Sequence, residues 1–364
     1  MISVLVVDDS AVIRRLITEV LATDPQIKVV GTAPNGAIAL DKIEQLRPDL
    51  VTLDIEMPIL DGLSTLKRLR PKWPKLPVIM FSTLTVGGGT ATLNALALGA
   101  SDYVTKPSNV GSFAESRASV QRELLPRIHA LAGRRRPAPG RPGAPPAPGS
   151  TSGAIRRPTG VRGRISVCAI GCSTGGPDAM TKLVGGLPGS LPVPVVVVQH
   201  MPALFTRLFA ERLNRMTQLT VVEAEDNQPV TPGRLYIAPG GRHLEVVRRG
   251  TVVLTRLHDG PPENHCRPAV DVLFRSVSSV YGKEAIALVL TGMGHDGKEG
   301  ARAMRAAGAE IAVQDEESSV VWGMPGAIAQ AGLADAVLTL PDLAAHVVSR
   351  AGAGHPARPV AVTR

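Results

Sequence analysis

The chain has 364 residues, more than one compact core ordinarily serves, and so predicts two domains. Apolar residues make up 44% and aromatics only 3%, so the cores must be built from Val, Leu, Ile and Ala. The net charge of +9 suggests a nucleic-acid surface until it is located: eight arginines (134, 135, 136, 141, 156, 157, 162 and 164) and no acid lie between Gly133 and Arg164. That segment carries +8 and leaves +1 for the rest, so no basic face and no nucleic-acid partner are expected of the folded parts.

From the N-terminus, ISVLVV predicts a strand, and Ser10 caps a helix with Val12, Ile13, Leu16, Ile17, Val20 and Leu21 at helical spacing. IKVVGTA, LVTLDI, PVIMFS and DYVTKP predict further strands, and GAIALDKIEQL a helix stopped by Pro48. This alternation over residues 1–130 predicts a flavodoxin-like, doubly wound parallel sheet. Residues 131–164, rich in Arg, Pro and Gly, predict a flexible linker.

Residues 165–350 predict a second α/β domain with a mostly parallel sheet and an added antiparallel hairpin. ISVCAIG, PVVVVQH, IALVLTG and EIAVQ are its strands; PDAMTKLVGGL, AVDVLFRSVSSVY, KEGARAMRAAG, PGAIAQAG and LPDLAAHVVSRA are its helices. Between Leu219 and Leu257 the pattern becomes short strands with tight turns, and HLEVV-RRG-TVVLTRL predicts the hairpin. Residues 351–364 predict a disordered tail. The N-terminus lacks a basic region before a cleavable apolar stretch, and no apolar run approaches the roughly 20 residues that span a bilayer. A cytoplasmic protein without membrane insertion is expected. Cys168, Cys172 and Cys266 form neither a disulfide framework nor a familiar metal-ligand spacing.

Two groups of residues carry chemistry. Asp8 and Asp9 follow the first strand and Asp54 ends the third. In a sheet ordered 2-1-3-4-5 those strands are neighbours at the switch point, so the three carboxylates converge in one crevice. Such a cluster needs a cation, and oxygen-only ligands suit Mg2+. Lys106 can reach the same mouth, and Ser82 places a hydroxyl beside it. VLVVDDS, LDIEMPILDG and DYVTKPS together resemble the receiver domain of two-component response regulators, over about residues 1–125. The resemblance implies that Asp54 accepts a phosphoryl group from a chemotaxis histidine kinase and that Asp8, Asp9 and Asp54 hold Mg2+. It implies also that Lys106 contacts the phosphoryl group, with Ser82 and Tyr103 as switch residues.

The second group begins with Gly171-Cys-Ser-Thr-Gly175, a G-x-S-x-G turn between a predicted strand and helix. Ser173 is the candidate nucleophile. His200 and Asp296 also follow apolar strands, so all three sit where open α/β sheets place their ligands. Triad chemistry gives Ser173 the attack, His200 the proton and Asp296 the orientation of the imidazole. His243, His258, His265 and His295 compete for the base; His200 leads because its position mirrors that of Ser173. The order Ser…His…Asp matches neither the α/β-hydrolases nor the familiar proteases.

GCSTGGP, VVVQHMP, LYIAPGGRHL, RPAVDVLF, LTGMGHDG and VVWGMP resemble the catalytic domain of the chemotaxis protein-glutamate methylesterase (CheB) family, in order over residues 165–345. That family also carries a receiver in front. Here Cys172 stands where the family often has alanine, and His295 occupies a variable position. The resemblance implies hydrolysis of glutamate γ-methyl esters and deamidation of selected glutamines on methyl-accepting chemoreceptors, with no cofactor for the ester chemistry. It implies that Thr174 and Met293 border the centre, Met293 lending backbone to the oxyanion site. The unphosphorylated receiver is expected to cover the Ser173 face and to release it when Asp54 is phosphorylated.

Overall fold

The computed structural model describes residues 1–107, 113–133 and 163–352. The chain divides into two compact units, Met1–Thr151 and Ser152–Arg364. Most of the expected linker and tail lie outside the described residues; where they are described, helices run on to Ala132 and Gly352.

The first unit runs β1 (Ile2–Val7), α1 (Ala11–Leu21), β2 (Ile27–Ala33), α2 (Gly36–Leu46), β3 (Leu50–Asp54), α3 (Gly62–Lys72), β4 (Val78–Ser82), α4 (Val86–Ala97), β5 (Asp102–Thr105) and α5 (Phe113–Ala132). Its five strands are parallel in the order β2-β1-β3-β4-β5, as expected. Strand order reverses at β1, which opens a crevice at the C-terminal strand ends. Ser10, Asn35, Asp61 and Thr85 each accept a hydrogen bond from the amide three residues on, which starts α1 to α4. α2 spans the expected GAIALDKIEQL; Arg47 after it turns left-handed (φ 46°), since the residue before Pro48 avoids the helical region.

The second unit runs β6 (Val167–Cys172), α6 (Gly176–Gly185), β7 (Val195–Gln199), α7 (Ala203–Met216), β8 (Thr220–Glu223), β9 (Arg234–Ile237), β10 (His243–Arg249), β11 (Val252–His258), α8 (Val270–Tyr281), β12 (Ala285–Val289), α9 (Lys298–Ala306), β13 (Glu310–Gln314), α10 (Met324–Gln330), β14 (Ala336–Leu338) and α11 (Leu340–Gly352). The main sheet has seven strands, β14-β13-β12-β6-β7-β9-β8, and every pairing in it is parallel. β10 and β11 form the expected antiparallel hairpin as a separate sheet.

The stretch after Leu219 differs from its expected tight-turn pattern. β8 and β9 pair with each other in parallel, and β9 joins β7, so they extend the main sheet. Tyr236 braces the connection between them: its buried hydroxyl donates to Pro229 O at 2.7 Å. β6, β7, β12 and β13 are buried along their whole length, the sign of a sheet covered on both faces. α8 sits in the resulting core through Leu273, Phe274 and Val277. Its N-terminus therefore lies beside the strand ends that carry the chemistry.

Candidate active site

β6 and β7 pair with Cys172 opposite Gln199, so the next residues, Ser173 and His200, leave the sheet side by side. The amide of His200 donates to Cys172 O at 3.2 Å, one step beyond the ladder. β12 flanks β6 on its other side, and the loop after it brings in Asp296. Ser173 stands on a tight turn closed by Gly176 N–H to Ser173 O at 2.7 Å. Gly175 supplies the φ of +76° that this turn needs, and a Cβ there would come within 2.6 Å of Val320 Cβ. A Cβ on Gly292 would lie 2.9 Å from Ser173 Cβ, so the backbone before Met293 packs directly on the nucleophile. Thr174 is buried, and its carbonyl accepts the Thr291 hydroxyl at 2.9 Å.

His200 and Asp296 are joined by a 2.8 Å contact from Nε2 to Oδ2. Asp296 is buried and surrounded by donors. Its Oδ1 accepts from Asn264 Nδ2 (3.0 Å) and the amides of Asp271 (3.1 Å) and Gly297 (2.9 Å), while Oδ2 also accepts from the Val270 amide (2.7 Å). Two of those amides open α8, whose N-terminal dipole favours the anion. Burial alone would raise the Asp296 pKa; the His200 bond and the amides outweigh it and hold the carboxyl below its usual range. An ionised carboxylate only accepts, so Nε2 carries the proton. Burial works to lower the imidazole, but Asp296 and then Cys266 push it up to about 9. The other nitrogen, Nδ1, faces Cys266 Sγ at 3.6 Å. Among the described residues nothing hydrogen-bonds Ser173 Oγ; catalytic bonds of this kind often close only when substrate binds.

In the first unit the carboxylates of Asp8, Asp9 and Asp54 offer oxygens within 4.8 Å of one another. Lys106 Nζ lies 2.9 Å from Asp8 Oδ2 and 2.8 Å from Asp54 Oδ2. Among the described residues, no donor but that ammonium reaches either buried oxygen. Two buried carboxylate oxygens answered by a single ammonium, beside the exposed Asp9, fit a hard cation such as Mg2+. Burial pushes the Asp54 pKa up to about 6, with Asp8 adding to the rise and Lys106 opposing it. Asp54, Ser82, Thr83 and Lys106 line a cleft of about 170 Å³. The Ser82 hydroxyl accepts from Thr92 Oγ1 at 2.6 Å and donates to Gly88 O at 3.1 Å, which ties it to α4. Tyr103 is buried on β5.

The response regulator receiver domain family matches residues 4–116, and the CheB methylesterase family matches residues 168–347. A protein-glutamate methylesterase/protein-glutamine glutaminase of Nocardioides sp. is 53% identical over 349 residues, which span 96% of this chain and 95% of that protein. The chain belongs to this family. A second member, from Trichodesmium erythraeum, is 47% identical over 96% of this chain and 99% of its own length. The crystal structure of the Thermotoga maritima CheB methylesterase catalytic domain is 39% identical, with a TM-score of 0.50, covering 51% of this chain and 98% of that one.

The candidate site includes residues that the motifs did not single out. Asn264 bridges Asp271 Oδ2 (2.9 Å) and Asp296 Oδ1, and Asp271 Oδ1 accepts from the Gly300 amide (2.6 Å). Gln199 Nε2 donates to Ser173 O at 3.1 Å. Cys266 meets His200 from the same loop as Asn264. The rival histidines lie elsewhere: two are engaged by backbone groups and two are exposed. His243 is buried between Pro261 O (3.0 Å) and the Ala269 amide (3.2 Å), and His258 Nδ1 accepts from Gly260 (3.2 Å). His265 and His295 are exposed. No described helix is long and apolar enough to cross a membrane.

Proposed function

We propose that Ser173, His200 and Asp296 carry the ester hydrolysis and glutamine deamidation named for this family, acting on glutamate γ-methyl esters and selected glutamines of methyl-accepting chemoreceptors. The observation that carries this reading is the His200–Asp296 pair held beside Ser173 at adjoining strand ends. Both reactions are acyl transfers through a tetrahedral intermediate, so one site serves both. Ser173 Oγ attacks the side-chain carbonyl. His200 Nδ1 takes the hydroxyl proton, because Nε2–H is committed to Asp296. The same nitrogen returns the proton to leaving methanol or ammonia, and water then releases glutamate. The Met293 backbone serves the oxyanion, with Thr174 beside it; the close packing of Gly292 on Ser173 supports that placement.

The receiver regulates this chemistry. Asp54 accepts a phosphoryl group from a chemotaxis histidine kinase, with Lys106 beside the same oxygen. Asp8, Asp9 and Asp54 would hold Mg2+, which when bound neutralises charge on the transferring phosphoryl group. Ser82 and Tyr103 report the change. Until then the receiver keeps the hydrolase inactive, and the connecting segment keeps the two units at high effective concentration. Driving the equilibrium from 1:99 to 99:1 takes about 5.5 kcal/mol of differential stabilisation.

Methanol release from methylated receptor, with and without a phosphodonor, tests the reading. Wild type should respond to the phosphodonor; Asp54→Ala should not. Ser173→Ala should release no methanol while keeping its circular dichroism spectrum. A folded Ser173→Ala variant with full activity overturns the assignment.

A further inference from the structure

We propose that Cys266 and His200 form a capture site for a soft divalent cation of the zinc class, which switches the hydrolase off by occupying the base nitrogen. The inhibition rests on the role given above to His200; the binding does not.

The geometry is that of a half-assembled zinc site. Zinc bonds of about 2.3 Å to sulfur and 2.0–2.1 Å to imidazole nitrogen, at a tetrahedral angle, hold the two ligand atoms about 3.6 Å apart. Cys266 Sγ and His200 Nδ1 are 3.6 Å apart. Metal-ligating histidines characteristically donate their other N–H to a carboxylate, which fixes the tautomer and raises ligand basicity. His200 Nε2 makes that contact with Asp296 at 2.8 Å. Once the ring is neutral, its lone pair at Nδ1 faces the sulfur. Asp296 is held on the far side of the ring by Nε2, so water completes the shell around the two ligand atoms.

The loop holds this arrangement before any ion arrives. Asn264 (φ 51°) and His265 (φ 63°) both turn left-handed, which swings Cys266 back toward the strand ends. Reciprocal backbone bonds between Glu263 and Cys266, at 3.1 and 2.7 Å, close the turn. Cys266 is partly exposed, whereas Cys168 and Cys172 are sealed in β6. Thiolate and imidazole select zinc over magnesium, so this site and the all-oxygen cluster of the first unit draw on different ions.

Binding displaces protons: Zn2+, Cys266–SH and His200 give the thiolate–zinc–imidazole adduct, releasing one proton when the imidazole starts neutral and two when it starts as imidazolium, its main form below about pH 9. The lone pair that would accept the Ser173 proton is then engaged. Hydrolysis stops without any covalent change, and a chelator restores it.

Two measurements on the full chain, freed of metal, test this. Cobalt(II) titration should produce a thiolate-to-cobalt charge-transfer band in wild type. Cys266→Ala, Cys266→Ser and His200→Ala should lack or weaken it, although the carboxylate cluster of the receiver is intact in all three. Zinc at tenfold its dissociation constant should lower wild-type esterase activity about tenfold, reversibly. Each Cys266 variant, compared with its own rate in chelator, should lose that sensitivity. A wild type without the band, or equal zinc inhibition of wild type and Cys266→Ala, overturns the proposal. Absence of any esterase activity in the metal-free chain would instead strike the hydrolase reading, leaving the cobalt result to stand by itself.

Discussion

Asp54 ends a central parallel strand of one sheet and Asp296 lies in the loop beyond a central parallel strand of the other, yet their environments push them in opposite directions. Both are buried. Asp296 receives hydrogen bonds on both oxygens from three amides, Asn264 and His200, and its pKa falls. Asp54 receives one amide, from Ile55 at 2.7 Å, and keeps one oxygen that only the Lys106 ammonium approaches; its pKa rises to about 6. Burial is the same unfavourable force in both; donors and the His200 charge outweigh it at Asp296, while at Asp54 the Asp8 charge adds to it. A carboxylate with its acceptors filled is suited to hold another group in place. One left with an open oxygen is suited to take a ligand or a phosphoryl group.

The most severe way to break this comparison is Asp296→Asn. The amide is nearly isosteric, but it cannot fix the Nε2–H tautomer, and its NH2 would face amide donors now satisfied by an anion. By the precedent of serine-protease triads, kcat should fall about 10⁴-fold with the fold retained. A loss under tenfold would mean that His200 does not depend on Asp296 for its tautomer.

A smaller effect concerns pH. His200 must be neutral to act as base, and its folded pKa is raised to about 9 by Asp296 and Cys266 against burial. In the free enzyme kcat/KM should therefore climb with pH on a limb centred near 9 and level off above it, lying about 100-fold below the plateau at pH 7. Measured with chelator present, Cys266→Ala should move the rising limb to lower pH. A limb centred near 6.5, unmoved by the substitution, would place the thiol outside the base's environment.

The sequence made the frame of both sites legible and left their walls out. Asp8, Asp54, Ser173 and His200 follow uninterrupted apolar strands, and a parallel sheet allows such residues few places to go. The helix α7 escaped because Pro202, at its start, offers no side-chain cap, so no boundary signal precedes Phe205, Phe209 and Leu213 on its buried face. The three glycines opening α4 argue against a helix; the Thr85 cap and the burial of Leu93 and Leu96 overrule them. Membership of β8 in the main sheet rests on pairing with β9, which four residues of local pattern do not encode. Asn264 and Cys266 were hidden for another reason. Their contacts depend on two left-handed residues in an irregular loop, and linear spacing to His200 carries no trace of that.

A third carboxylate, saturated like Asp296, sharpens the comparison because it has no chemistry nearby. Glu310 begins β13, at the sheet edge opposite the strand ends that bear Ser173, and is 4% exposed. His346 Nε2 and Arg350 Nε each lie 2.7 Å from its oxygens and tie α11 to the strand. Burial would raise its pKa; His346 and Arg350 together hold it below its ordinary 4.5. A depressed folded pKa stabilises the fold above the ordinary value and loses that contribution as pH falls through the folded one. Glu310→Gln should thus cost about 2 kcal/mol at neutral pH. That corresponds to a Tm about 4–8 °C lower for a unit of this size. The wild-type and variant melting temperatures should converge in acid, below the folded pKa, while esterase activity at 25 °C stays near wild type. If Glu310→Gln instead cuts kcat with Tm unchanged, saturation by donors does not mark a carboxylate as structural, and the contrast between Asp54 and Asp296 needs another cause.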